Sequence, residues 1–164
     1  MRRCQDLLQR LLNFILPSVA VIVLALAAAF PARAALGGDA ASVQADQLHM
    51  QGSLRKTAAT AYSVHEIQAP TGTVVREYVS PEGKVFAVSW QGPWLPDMHQ
   101  LLGSYFDQYA QAAKAQAGVR AARRPLLIEQ SGLVLQMGGH NRSFSGRAYL
   151  PDQLPSSVTQ EAIQ

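Results

Sequence analysis

From Val85 to Trp90 the large apolar residues Phe86, Val88 and Trp90 recur every second position, and from Met98 onward apolar residues recur every third or fourth. The first period is that of a strand and the second that of a helix. Val74, Val75, Tyr78 and Val79 run into Ser80-Pro81-Glu82-Gly83, where proline presets one torsion and glycine admits a positive φ, the signature of a tight turn. Val85 to Trp90 then returns as a strand, with Phe86, Val88 and Trp90 expected on one face. Gly92-Pro93 and Pro96 break that strand, and Asp97 stands where a helix needs its first side-chain cap. Met98, Leu101, Leu102, Tyr105, Tyr109, Ala112 and Ala113 fall on one helical face. Gly103 inside that run would cost about 1 kcal/mol against alanine, which suggests a close helix-on-sheet approach.

The flanking segments extend this unit. Tyr62 to Ala69 has strand composition and turns at Pro70-Thr71-Gly72, so three strands (62–69, 73–80 and 84–91) form an antiparallel meander whose turns are too short for parallel crossovers. Beyond the basic connection from Gln116 to Arg124, short strands are expected at Leu126–Gln130, Leu133–Met137 and Ser143–Leu150, with Gly138 to Asn141 as the last turn. In the final strand Phe144, Gly146, Ala148 and Leu150 face one way and Ser145, Arg147 and Tyr149 the other. Ser42 to Met50 is a weak helical pattern ended by Gly52, and Leu54 to Ala61 reads as a loop. The expected fold is α+β: an antiparallel sheet of five to six strands in two meander units, with one main amphipathic helix on one face. The organisation is a leader over 1–34, a flexible or weakly helical segment over 35–61, a domain over 62–151 and a tail over 152–164.

The leader changes the charge argument. Arg2, Arg3 and Arg10, the apolar run from Val19 to Phe30 and Ala32-Arg33-Ala34 make a secretory signal with cleavage near Ala34; retention as a membrane anchor is the alternative. The whole chain carries +3, and the leader's four arginines and one aspartate account for all of it. The chain after Ala34 has ten basic and ten acidic side chains, so no basic surface argues for nucleic acid. The one cysteine, Cys4, leaves with the leader, and no disulfide, metal site or cofactor is expected. The expected location is the periplasm or the medium, with the membrane met only through the uncleaved leader.

The segments REYVSPEGKVFAVSWQGP, PDMHQLLGSYF and SGLVLQMGGHNRSFSGRAYLP resemble a family of small exported bacterial proteins known as domain of unknown function 2844. The resemblance spans nearly all of the chain after the leader. It implies export from a Gram-negative cell and offers no catalytic residues.

Candidate chemistry is sparse. His49, His65, His99 and His140 show no paired ligand spacing, and no Gly-x-Ser-x-Gly elbow is present. Gly138-Gly139-His140-Asn141-Arg142 is the most distinctive polar cluster, and Arg142 with Arg147 could hold a carboxylate or phosphate if Arg142 belongs to the turn. Trp90 and Trp94 form either an exposed aromatic corner or the seam between sheet and helix. These residues suggest a non-catalytic binding or accessory protein of the cell envelope, its partner an envelope protein or a small anionic ligand. An envelope hydrolase using His140 or His99 and a structural subunit of an envelope assembly are the alternatives.

Overall fold

The computed structural model describes residues 36–117, 125–130 and 132–164. The expected leader and its cleavage site lie outside these residues. No helix among them is long and apolar enough to cross a membrane.

The described chain forms one antiparallel sheet of seven strands: β1 (Ser53–Ala58), β2 (Ser63–Gln68), β3 (Val74–Val79), β4 (Val85–Gly92), β5 (Leu126–Gln130), β6 (Leu133–His140) and β7 (Ser143–Tyr149). Their order is β1-β2-β3-β4-β7-β6-β5. Two meanders therefore meet at the β4–β7 pair, and the helical stretch between them carries the chain to the far edge of the sheet. The helices are α1 (Ser42–His49), α2 (Met98–Leu102) and α3 (Phe106–Ala117).

Seven strands replace the expected five to six. The extra one is β1, whose SLRKTA sequence reads as a loop because it is almost entirely exposed. It is an edge strand, and charged side chains suit an edge that must not recruit another chain. Its register (Arg55 opposite Glu66, Lys56 opposite His65) is set by pairing with β2 rather than by its own pattern. The stretch before it is ordered too. Leu36 is buried beside Leu101, the Gly37 and Val85 amides bond to the Val85 and Gly38 carbonyls, and Asp39 bridges to Lys84.

Two further details depart from the sequence pattern. A bulge at the Tyr78/Val79 pairing leaves Val85 facing the helices while Phe86 and Ala87 both face the opposite side. One extra residue shifts the parity of a strand, so Phe86 parts from Val88 and Trp90. The main helix is also interrupted. Gly103 adopts φ +51° and ends α2 after five residues, and a 3-10 turn over Gly103–Tyr105 leads into α3. Glycine takes this torsion without the Cβ penalty, so it reorients the helix instead of weakening it. Asp97 caps α2 as expected, accepting from the His99 and Gln100 amides.

Both faces of the sheet are covered. On one, Met98, Leu101, Leu102 and Ala112 pack on Val75, Val88, Trp90, Ile128, Leu133, Leu135 and Ala148. On the other, the C-terminal segment lays Val158 and Ile163 on Tyr78, Phe86, Ala87 and Tyr149. Pro151 thus ends β7 without ending order, and the tail carries a 3-10 turn over Gln160–Ala162.

Candidate functional site

Trp94 lies in the loop that carries β4 toward α2, and Thr73 positions it. The Thr73 hydroxyl is 2.8 Å from the Trp94 carbonyl, to which it donates, and 3.3 Å from the Trp94 amide, from which it accepts. The indole is 54% exposed, and its neighbour Leu95 is 40% exposed. Arg142 reaches it from the β6–β7 hairpin, its guanidinium carbon 5.9 Å from the ring centroid. The hairpin makes this possible. Gly138, Gly139 and His140 belong to β6 rather than to the turn, and the turn itself is Asn141-Arg142, with Arg142 at φ +61°. His140 and Asn141 are exposed there. Among the described residues Arg142 forms no ion pair.

Trp90 is not part of that corner. It is 2% exposed, faces the helices and packs over Gly146, where a Cβ would sit 2.3 Å from the ring. Only glycine leaves room for the indole at that point. The seam reading holds for Trp90 and the exposed reading for Trp94.

Arg147 points to the other face and serves the tail. Its Nε and Nη2 donate to Gln136 Oε1 at 3.1 and 2.9 Å, and its Nη1 donates to the carbonyls of Gln160 at 2.7 Å and Ile163 at 3.3 Å. Arg142 and Arg147 therefore cannot share one ligand. The Tyr78 hydroxyl donates to the Gln164 oxygen at 2.7 Å and accepts from its amide at 2.8 Å, while Ser89 donates to the same oxygen at 2.8 Å. These contacts hold main-chain atoms of the tail. Arg147→Ala removes several charge-assisted bonds, each worth about 1.5–3 kcal/mol. It should lower the denaturant midpoint and expose residues 158–164 to protease; an unchanged cleavage pattern would show that Arg147 does not hold the tail.

A second cluster went unseen in the sequence pattern. Asp46 on α1 and Glu77 on β3 are both fully buried, and Gln100 on α2 donates to Asp46 Oδ1. Asp46 Oδ2 and both Glu77 oxygens have no hydrogen-bond partner among the described residues. Burial holds the Glu77 carboxyl well above its ordinary value, with the neighbouring Asp46 carboxylate adding to the shift. Burial also raises Asp46, against the hydrogen bond from Gln100 and the nearby His49. The pair's only trace in the sequence is a glutamate between Val75 and Val79 on a core-facing strand. Nearby on β2, burial and then Lys56 lower the His65 imidazole, and its Nε2 is 3.2 Å from the Ser63 hydroxyl.

His99 is exposed, its ring edge-on to Phe106 at 4.9 Å between centroids. It shares a cavity of about 410 Å³ with Ser104 and Asp107, but no hydrogen bond joins the three. Among the described residues no three acidic or histidine side chains cluster as metal ligands would.

Comparison with curated proteins and with solved structures found no match. A family model does match, over residues 32–163, and its description is protein of unknown function (DUF2844). The match takes in every strand and helix of the fold, and the chain belongs to the DUF2844 family.

Proposed function

We propose that this protein is a non-catalytic, exported binding or accessory module of the cell envelope, and that Trp94 with Arg142 forms its contact surface. The observation that supports this is the exposed indole with a guanidinium over its face that forms no ion pair among the described residues. A large aromatic ring left half in water, beside a cation without a carboxylate, has the composition of a recognition hot spot. Leu95 extends the apolar part of the surface. An envelope protein presenting an acidic side chain next to an apolar one would satisfy both halves.

The catalytic alternative has one observation in its favour, the cavity that groups His99, Ser104 and Asp107. It lacks the nucleophile-to-base hydrogen bond that activation requires. His140 stands exposed at the hairpin tip.

Capture of partners from native envelope, using wild-type protein, Trp94→Ala and Arg142→Ala, tests the binding reading. Both substitutions should abolish capture of the same partner. Both should move stability by no more than about 0.5 kcal/mol, as expected for exposed positions. Retention of every partner by both variants would end the proposal.

A further inference from the structure

Strand register builds a second polar surface on the tail side of the sheet. Gln136, Arg147 and Ser89 are cross-strand neighbours on β6, β7 and β4, and Gly138, Ser145 and Gln91 form the next row. All six line an open cavity of about 490 Å³ beside the end of the tail. A hydrophobic sheet face is normally covered; here the row left uncovered by Ile163 and Gln164 is polar, and it is deepened because one of its positions is a glycine.

The donors at this surface are partly unused. Gln136 accepts from Arg147 through Oε1, which turns its amide NH₂ away from the guanidinium and leaves it without a partner among the described residues. Gln91 and Ser145 are exposed and make no side-chain hydrogen bond among the described residues. The Arg147 guanidinium has only neutral oxygens as partners, and no carboxylate lies within ion-pair distance of it among the described residues. Glu161 is close enough to feel this charge without touching it, and a half-buried guanidinium with no carboxylate in contact, flanked by amide and hydroxyl donors, favours an oxyanion. The cavity also falls within the usual 300–1,000 Å³ of small-molecule sites, by an order-of-magnitude comparison.

We infer that the Gln91–Ser145–Gln136–Arg147 surface binds a small molecule bearing a carboxylate or phosphate group. Ser145, Gln91 and the Gln136 amide donate to the oxyanion, Arg147 supplies the charge, and the space over Gly138 takes the body of the ligand. This site is separate from the Trp94–Arg142 corner and does not depend on it.

Gly138 permits a direct test. A Cβ built there meets nothing closer than 3.8 Å, and that neighbour is a Pro125 side-chain atom. Gly138→Leu should therefore fold normally while filling the cavity. The full chain would be titrated calorimetrically with citrate and, separately, with inorganic phosphate, against sodium chloride of equal ionic strength. Saturable binding of at least one is expected, and the one that saturates identifies the oxyanion. Ser145→Ala and Gln91→Ala should each weaken it about tenfold, the loss of one hydrogen bond to a charged group. Gly138→Leu should abolish it, and Arg142→Ala should leave it unchanged. Absence of saturation with both probes overturns the inference, as does binding that persists undiminished in folded Gly138→Leu. If Gly138→Leu fails to fold, undiminished binding in Ser145→Ala and Gln91→Ala is the overturning result.

Discussion

Leu102→Ala is expected to destabilise the protein by about 2–5 kcal/mol in denaturant melts. Leu102 has no exposed surface and sits in the larger of the two apolar clusters, between the end of α2 and the sheet. Its neighbours come from both layers, so collapse around a lost isobutyl group would have to move a helix and several strands together. Interiors packed at crystal density relax only partly, which places such substitutions toward the costly end. Gln111→Ala is the matched control, because Gln111 is exposed on α3 and should change stability by no more than about 0.5 kcal/mol. Gln108 would serve less well, since it is half-buried with its Oε1 sealed from solvent. Equal costs for Leu102→Ala and Gln111→Ala would mean that α2 does not face the sheet.

The second large effect is a pH dependence set by Asp46 and Glu77. Both carboxyls are raised in the folded protein from ordinary values of 3.8 and 4.5, chiefly by burial. A carboxyl raised by folding binds its proton more tightly in the native state. Its stabilising contribution is complete below the ordinary carboxylate range and is lost as pH rises through the folded value. While one proton is being lost, stability falls by about 1.4 kcal/mol per pH unit. Stability should therefore decline as pH climbs above the ordinary carboxylate range, through the raised Glu77 value. His65 works in the opposite sense. Its lowered imidazole contributes stability above its ordinary 6.5 that is lost on acidification. His49 and Asp97 also act on Asp46, with opposite signs. The difference between wild type and Glu77→Gln isolates the pair, because glutamine keeps the shape and cannot ionise. Denaturant midpoints measured across pH should converge at acid pH and separate as pH rises, with Glu77→Gln the more stable. Parallel curves would show that Glu77 titrates as an exposed carboxyl.

Local pattern determined much of this protein. The turns at Pro70-Thr71-Gly72 and Ser80 to Gly83, the Asp97 cap and the face of α2 that carries Leu101 and Leu102 are all where residue type and spacing place them. These features depend on neighbours a few residues apart, which is the range over which turn chemistry and amphipathic period operate. The opposite faces of Arg147 and Ala148 come from the same two-residue period.

Tertiary structure alone decided the rest. SLRKTA became a strand because β2 offered it an edge, although its own side chains are nearly all in water. Phe86 left the face of Trp90 because a bulge opposite Val79 inserted one residue into the alternation. Arg142 and Arg147 were a plausible pair five residues apart, yet the turn sends one to Trp94 and the strand sends the other to the carbonyls of Gln160 and Ile163. Asp46 and Glu77 are 31 positions apart and were invisible as a pair, because only packing α1 and α2 onto β3 brings them together and excludes water. A period describes which way a side chain points along its own element. What it meets there depends on which elements pack against one another, and that is settled by burying apolar surface across the whole chain at once.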